Sequence, residues 1–123
     1  MELNLERPDD FLFVRKADAH SVRIADRAFT RSLILTRRQV IDVWAVTDVA
    51  RMTPAHVEPI LALEPDVVLL GTGARQRFPS QEVLAAFLKQ GVGIEAMDNA
   101  AAARTWDILA GEGRNVVAAF IVA

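Results

Sequence analysis

Residues 64–80 read EPDVVLLGTGARQRFPS, and this stretch decides the fold class. A proline turn leads into a short apolar run, which stops at the Gly71-Thr72-Gly73 loop, and Ser80 then supplies a helix N-cap. An apolar run of this length is typical of a parallel strand that is covered on both faces. Ligands bind at the carboxyl ends of such strands in open α/β sheets, so the loop marks a candidate site.

Helices and strands alternate downstream of residue 53. Thr53-Pro54 has the pattern of an N-cap followed by proline in the first helical turn, and Gly91 stands where a left-handed C-cap is expected. The predicted elements are a helix from Pro54 to about Leu63, a strand over 66–70, a helix after Ser80 with Val83, Leu84, Phe87 and Leu88 on one stripe, a strand over 92–97, a helix capped by Asp98 or Asn99 and ending near Gly111, and a strand over 115–122. This order predicts crossover connections and one sheet for the three strands.

The first half of the chain predicts mainly β structure. Strands are expected over 11–14, 21–25, from Phe29, over 32–36 and over 40–46, with a turn at Asp26-Arg27. No linker, repeat or low-complexity segment interrupts residues 1–123, so we expect a single α/β domain. The phases of the elements place six side chains inside: Val67, Leu69, Phe87, Ile94, Trp106 and Val117.

Composition narrows the range of functions. The 123 residues are 52% hydrophobic, contain no cysteine and carry a net charge of −2. The absence of cysteine excludes thiolate catalysis and disulfides, and the charge argues against nucleic acid as a partner. The apolar runs are shorter than a membrane-spanning helix requires, and the acidic start of the chain does not resemble a signal peptide. These features predict a cytoplasmic protein that does not insert into membranes.

Several motifs in a fixed order carry a family resemblance. They are Phe29-Thr30-Arg31-Ser32-Leu33-Ile34-Leu35, Trp44, Pro65-Asp66, Gly71-Thr72-Gly73, Gly93-Ile94-Glu95-Ala96-Met97-Asp98, Ala101, Ala103, Arg104-Thr105, Leu109 and Asn115-Val116-Val117-Ala118-Ala119-Phe120. In these motifs the chain resembles a domain family of unknown function that includes the third mitochondrial respiratory complex I assembly factor and the adipogenesis-associated protein. The chain departs from the family at Asn99, where threonine is usual, at Trp106, where tyrosine or phenylalanine is usual, and at Asp107, where asparagine is usual.

The resemblance implies a three-layer α/β domain with a central mixed, largely parallel sheet and an additional β layer from the N-terminal half. It implies no established catalytic activity and no cofactor. Mitochondrial members are linked to building a membrane complex, and bacterial relatives look like companions of protein-export and membrane-insertion genes. We therefore expect an unidentified protein partner that belongs to a membrane complex or to protein export.

Nine residues form a hypothetical ligand cleft at the carboxyl ends of the strands: Gly71, Thr72, Gly73, Arg75, Arg77, Asp98, Asn99, Arg104 and Thr105. Loop N–H groups and arginines could bind a phosphate or a carboxylate. Structural roles compete with this interpretation. The loop could be a tight turn, Asp98 or Asn99 a helix cap, and Arg104 a partner of Glu95 or Asp107. The glycine spacing matches neither the P-loop nor the dinucleotide-binding pattern.

Catalytic groups are scarce. We expect His20 and His56 at the surface and away from the Gly71-Thr72-Gly73 loop, and neither Ser32 nor Ser80 lies in a nucleophile elbow. With two histidines and no clustered carboxylates, the sequence predicts no metal site.

Arginines provide a hypothetical partner surface instead, at Arg27, Arg31, Arg37 and Arg38. The sequence favours a non-catalytic interaction or assembly-factor-like protein. The alternative is an anion-binding protein or enzyme that uses the loop from Gly71 to Arg77.

Overall fold

The computed structural model describes residues 10–123. Eight strands and three helices follow one another in the order β1 Val14–Ala17, β2 Val22–Ile24, β3 Arg27–Phe29, β4 Leu33–Leu35, β5 Val40–Ile41, α1 Pro54–Leu61, β6 Val67–Gly71, α2 Gln81–Leu88, β7 Gly93–Met97, α3 Asn99–Gly111 and β8 Val116–Phe120. A single 3-10 turn, Val49–Arg51, precedes α1.

The central sheet has five strands in the order β5-β4-β8-β6-β7. Strand β6 is parallel to both β7 and β8, whereas β4 is antiparallel to β8 and to β5. The connection through α2 places β7 on one side of β6, and the connection through α3 returns past β6 to place β8 on its other side. The chain therefore reverses direction across the sheet between β6 and β8, and such a reversal creates a crevice at the carboxyl ends of the strands.

Two apolar clusters cover the two faces of the central sheet. On one face, Val68 and Leu70 of β6 pack with Val57 of α1 and with Val83 and Phe87 of α2. On the other face, α3 and the antiparallel sheet β1-β2-β3 enclose the second cluster, which includes Leu69, Trp106 and Phe120. The predicted three-layer fold with a mixed central sheet and an additional β layer is confirmed.

The predicted interior residues lie inside. Leu69, Phe87, Trp106 and Val117 are buried, and Val67 and Ile94 are partly buried against the two clusters. Leu88, which the sequence predicts on the buried stripe of α2, is largely exposed instead. The short helix turns only Val83 and Phe87 fully toward the sheet, so Leu88 lies beyond the edge of the contact.

The helices and strands after residue 53 form in the predicted order. Helix α1 ends at Leu61 rather than near Leu63, and Gly91 takes the left-handed conformation expected of a helix C-cap, with φ of 70°. Asp98 caps α3 by accepting a hydrogen bond from Ala101 N–H at 2.8 Å.

The first half departs more from prediction. The first strand is Val14–Ala17 rather than 11–14, because the N–H of Leu12 is not paired with β2 but donates to Arg37 O at 2.8 Å. The turn between β2 and β3 is Ala25-Asp26, one residue earlier than expected, with Ala25 at a positive φ of 54°.

The strand predicted over 40–46 ends at Ile41. Beyond it, Val46 N–H bonds to Trp44 O at 2.9 Å, which bends the segment. The indole N–H of Trp44 donates to His56 O at 3.0 Å, and the Ser32 hydroxyl donates to Val46 O. These tertiary bonds replace the ladder that the apolar and β-branched pattern predicts.

Candidate functional site

The carboxyl-end crevice, at the point where the chain reverses between β6 and β8, is small. Its volume is about 240 Å³, and its walls are Ala19, Thr47, Asp48, Val49, Thr72, Gly73, Ala74, Arg77, Ile121 and Ala123. Thr72 and Gly73 follow β6, and Ile121 follows β8. The loop after Leu70 thus lies where the sequence predicts a site, and its hydrogen bonds show which of its polar groups could face a ligand.

The loop after β6 is closed on itself. The buried Thr72 hydroxyl donates to Arg75 O at 2.6 Å and accepts from Arg77 N–H at 3.1 Å. Thr72 N–H donates to Met97 O at 2.9 Å, which continues the β6–β7 ladder. Gly73 has a positive φ of 99°, which glycine adopts without strain. The loop N–H groups of Thr72 and Arg77 are therefore used within the protein.

Asn99 joins three segments beneath the crevice. Its side chain is fully buried, with Oδ1 accepting from Gly73 N–H at 3.1 Å. Its Nδ2 donates to Ile121 O and to Asp18 O, both at 2.9 Å. Because Asp98 performs the capping, Asn99 is not the helix cap but the link between loop, β8 and the β1–β2 connection. The same packing explains Gly71, where a Cβ would overlap Asn99 Oδ1 and come within 3.0 Å of Phe120.

Arg77 reaches across the surface to Asp48, with Nη1 to Oδ1 at 3.1 Å. The backbone N–H of Ala50 holds the pKa of Asp48 below its ordinary value, and Arg77 adds to this effect. Arg75 and Arg104 are exposed, and neither lines the crevice. They also do not line the second depression, described below, that adjoins Gly73. The Thr105 hydroxyl donates to Ala101 O at 2.9 Å within α3.

A second depression, of about 360 Å³, adjoins the crevice and shares Ala19, Gly73 and Ala74 with it. Gly73 and Ala74 share it with Asp98 and Ala100 at the start of α3, and with the β1–β2 connection at 17–20. The loop and the start of the helix are therefore neighbours, as predicted. His20 is at the surface, as expected, but the expectation that it lies away from the Gly71-Thr72-Gly73 loop is wrong, because it lines the same depression as Gly73. The cause is the Asn99 link to Asp18, which draws the β1–β2 connection across the carboxyl end of the sheet.

The largest of the cavities described lies at the start of β4, at the same end of the central sheet as the crevice, with which it shares Thr47. We call it the arginine-rimmed groove; its volume is about 520 Å³, and it is lined by Thr30, Arg31, Ser32, Asp42, Val43, Trp44, Ala45, Val46, Thr47 and Val122. An adjoining depression of about 180 Å³ extends it to Arg27, Ala28 and Phe29. The Arg27 guanidinium lies 5.3 Å from the centroid of the Phe29 ring. The groove exists because the segment after β5 bends away from β4.

The four arginines of the predicted partner surface do not form one patch. Arg27 and Arg31 lie at the groove, before β4. Arg37 and Arg38 lie in the turn after β4, with Arg37 partly buried. Arg31 and Arg37 lie at opposite ends of β4. The six residues of extended chain from one to the other span about 20 Å. The structure thus divides this set into two pairs.

Asp107 is an unusual carboxylate. It is half-buried on α3 and accepts a hydrogen bond from Val14 N–H at 2.9 Å, which joins α3 to β1. Burial raises its pKa from 3.8 to about 6, and the Val14 hydrogen bond opposes this only in part. A neutral asparagine, which is usual in the resembled family, would accept the same bond without the cost of burying a charge.

Sequence reasoning missed two features: the Asn99 link and the arginine-rimmed groove. For the Asn99 link, the available signals were a polar residue directly after the helix cap Asp98 and a glycine, Gly71, at the end of the earlier strand. The groove had no local signal, because tertiary bonds from Ser32 and Trp44 create it. Within residues 10–123, no three His, Asp or Glu side chains come together in a way that could hold a metal ion.

Comparison with known proteins places this α/β domain in a family. The model of the family described as "Protein of unknown function (DUF498/DUF598)" matches residues 14–121, and the chain belongs to this family. A relative in Francisella tularensis, named "13 kDa major membrane protein", is 32% identical over 89 residues, which cover 72% of each chain. Among the described residues, no helix has both the length and the apolar character to cross a membrane.

Solved structures show the same fold. A structural genomics target from Xanthomonas campestris is 48% identical, with a TM-score of 0.85 over 99% of this chain and 92% of that one. A second target, a Bordetella pertussis protein described as a Mth938-like domain, is 27% identical, with a TM-score of 0.79 over 98% of this chain and 92% of that one. An outer membrane protein from Bartonella henselae, 19% identical with a TM-score of 0.79 over 93% of this chain and 97% of that one, shares the fold.

Proposed function

We propose that the protein is a non-catalytic interaction protein that docks to a protein partner and assists the assembly of a membrane complex from the cytoplasmic side. The observation that carries this proposal is the arginine-rimmed groove. It is the largest of the cavities described, five of its ten lining residues are apolar, and two arginines lie at its border. An apolar surface with a charged rim is typical of a protein-binding site.

The groove offers two kinds of contact. Val43 is 74% exposed beside the buried Trp44, so a partner side chain can cover it without any change in the core. Arg27 and Arg31 provide guanidinium groups suited to carboxylates. The matching partner is a protein segment with an apolar residue flanked by acidic residues. Rim charges of this kind increase the rate of encounter and make it dependent on salt.

Family relationships support the membrane part of the proposal. The resembled family includes a respiratory complex assembly factor, and the Francisella relative carries a name that refers to a membrane protein. A small protein that binds a membrane-bound partner would be recovered with membranes without spanning them.

The test is a pull-down from the native host at low salt. The variant Arg27→Glu/Arg31→Glu should reduce recovery of the partner about tenfold, the scale of losing close charge pairs at an interface. The matched control is Arg38→Glu/Arg114→Glu, which changes the net charge equally at exposed positions that do not line the groove. Val43→Ser should also reduce recovery. Wild-type recovery of the partner with both groove variants, Arg27→Glu/Arg31→Glu and Val43→Ser, would refute the groove as the docking site.

A ligand-binding function is the second candidate. Thr72, Gly73 and Arg77 line the crevice at the reversal between β6 and β8, which is the usual ligand position in open α/β sheets. An anionic ligand would have to displace Asp48 from Arg77. Phosphate titration of the wild-type protein and of loop variants separates this candidate from the first.

A further inference from the structure

The described part of the chain begins beside the end of β4. Leu12 N–H donates to Arg37 O at 2.8 Å, which fixes the first described residues next to the turn after β4. Residues 1–9 are therefore attached to the domain at the opposite end of β4 from the arginine-rimmed groove. The extended chain from Arg37 back to Arg31, at the border of the groove, spans about 20 Å. Nine extended residues span at most about 30 Å, so the segment 1–9 can reach the groove.

A continuous depression leads from this attachment point to the groove. Ala25 N–H donates to Phe13 O at 3.2 Å, which holds the start of β3 beside the first described residues. From there, the depression of about 180 Å³ follows β3 from Arg27 to Arg31. It shares three lining residues with the groove, among them Arg31 and Asp42. The two cavities therefore form one surface beside β3 and β5, which are outer strands of their sheets.

Residues 2–6 have the chemistry that this surface selects. They are Glu2-Leu3-Asn4-Leu5-Glu6, two leucines between two carboxylates. In an extended segment, Leu3 and Leu5 would share one side and the glutamates the other. The groove offers the complement, because Val43 is 74% exposed and Arg31 lies at the border. An apolar contact and an opposite charge are thus available to the same segment.

The wall of the groove also offers backbone groups to a peptide. Among the backbone hydrogen bonds of residues 10–123, none uses Val43 or Ala45. Both side chains are exposed, so an extended segment can pack on them and bond to their amides. Asp42 is the one carboxylate in the described lining, and it is partly buried. These features favour a peptide with acidic residues over an apolar small molecule.

We propose that residues 2–6 of this chain occupy the arginine-rimmed groove, with Leu3 against Val43 and the two glutamates at the arginine rim. A segment on a short tether has an effective concentration on the order of millimolar, so it fills the groove ahead of a dilute partner of similar chemistry. The partner must then displace it, and this part of the inference rests on the proposed function. The segment acts as an internal competitor that limits docking to partners that bind more tightly.

Paired cysteine variants of the full chain test the contact. The chain contains no cysteine, so a pair introduced at exposed positions has no background. With oxidised glutathione as the oxidant and dilute protein, Leu3→Cys/Val43→Cys should form an intramolecular disulfide. The intact mass of the monomer, lower by two hydrogens, reports it. We call this variant the groove pair.

The matched control is Leu3→Cys/Ile108→Cys. Ile108 is 62% exposed and lies three residues before Gly111, where a Cβ would come within 3.5 Å of Phe11. The control position is therefore close to the attachment point, and an unbound segment would reach it at least as easily as the groove. We expect the groove pair to close at least about tenfold faster than the control. Equal rates, or a faster control, would overturn the proposal.

Charge reversal tests the contact with the rim. Glu2→Lys/Glu6→Lys, added to the groove pair, should slow closure about tenfold, the scale of losing close charge pairs. Adding Arg27→Glu/Arg31→Glu to that variant should restore the rate, because opposite charges then face each other again. A rate that neither change alters would refute the rim contact. Without any cysteine, the Val43 amide should exchange at least about tenfold faster in Glu2→Lys/Glu6→Lys than in the wild-type protein.

The disulfide and the pull-down can fail separately. Selective closure of the groove pair, with no partner recovered, would support the internal contact and contradict the proposed function. Closure no faster than the control, with a partner recovered through the groove, would contradict the internal contact alone. When both hold, Glu2→Lys/Glu6→Lys should increase recovery of the partner severalfold, because the competitor no longer holds the groove. Unchanged recovery would contradict the competition.

Discussion

The carboxyl-end crevice and the arginine-rimmed groove differ in how their polar groups are used. In the crevice, the groups that could bind a ligand are already bonded within the protein. The Thr72 hydroxyl donates to the backbone of its own loop, Asn99 Oδ1 accepts from Gly73 N–H, and Arg77 pairs with Asp48. In the groove, Val43 and Ala45 are exposed, whereas Trp44, Val46 and Val122 are buried in its wall.

The comparison shows that a favourable position in a fold is not sufficient for a binding site. The reversal between β6 and β8 creates a crevice by topology, but its hydrogen-bonding groups hold β6, β8 and α3 together. The groove lies at the same end of the central sheet, at the start of β4 beside Val122, and it leaves surface that a partner could cover. Substitutions at the crevice can therefore test whether its polar groups serve stability alone.

Replacing Asn99 should have the largest effect. Asn99→Ala leaves Gly73 N–H and the carbonyls of Ile121 and Asp18 without their buried partner. We expect the free energy of unfolding to fall by about 3–4 kcal/mol, the range for breaking a buried hydrogen-bond network. Urea denaturation measures it. The control Asn115→Ala removes one exposed bond, to Glu64 O, and should cost less than about 1 kcal/mol.

A double-mutant cycle with Gly71 sharpens this result. Gly71→Ala alone should cost about 2 kcal/mol, because the new methyl group meets Asn99 Oδ1 and Phe120. In the Asn99→Ala background the cost should be smaller, since only the Phe120 contact remains. Strict additivity would show that the two residues do not share this contact.

Asp107 is a polar group whose burial is only partly compensated, and replacing it tests the cost of that burial. Its pKa is raised to about 6, so the folded protein binds this proton more tightly than the unfolded chain does. Stability is therefore lost as pH rises from about 4 to about 6, and the loss is complete above that range. Asp107→Asn should raise the free energy of unfolding at pH 7.5 by about 1 kcal/mol, a value reduced for solvent screening of a half-buried group.

The measurement is urea denaturation of both proteins from about pH 3.5 to about pH 7.5. The difference between them should become small at the acidic end, where Asp107 is mostly protonated in both states. Asp66→Asn, at an exposed carboxylate, is the matched control for the change of Asp to Asn. A stabilisation by Asp107→Asn that is equal at all pH values would contradict the electrostatic explanation.

The second half of the fold could be predicted because its signals are local. Helix starts are marked by Thr53-Pro54, Ser80 and Asp98, and a helix end is marked by Gly91. The apolar runs between these signals have the length of a buried parallel strand. The first half depends on tertiary bonds. The segment after Ile41 carries an apolar pattern typical of a strand, but Ser32 and Trp44 bind it elsewhere.

The candidate site shows the same division. Its location followed from the order of strands and the loop after Leu70. The roles of its residues did not follow, because hydrogen bonds between distant segments decide them. Asn99 reaches Asp18, 81 residues earlier in the chain, and Arg77 reaches Asp48, 29 residues earlier. No spacing rule relates such positions, so a cap and a ligand-binding arginine were reasonable expectations from sequence alone.

Replacing Arg77 should have the smallest effect on stability. Its ion pair with Asp48 is about half exposed at both side chains, and solvent screens such pairs strongly. Arg77→Ala should therefore change the thermal midpoint by less than about 2 °C. Arg75→Ala, at an exposed arginine of the same loop, is the matched control.

The same variants distinguish the two candidate functions. If the crevice is structural, inorganic phosphate at low ionic strength should not raise the thermal midpoint of the wild-type protein, because Asp48 occupies Arg77. Asp48→Asn removes that competing charge and should reveal whatever anion affinity the Thr72–Arg77 loop possesses. A phosphate-dependent rise in the wild-type midpoint that Arg77→Ala abolishes and Arg75→Ala retains would favour the ligand-binding candidate, since binding to the folded state raises the midpoint by mass action. Without that rise, the open groove remains the better candidate for function.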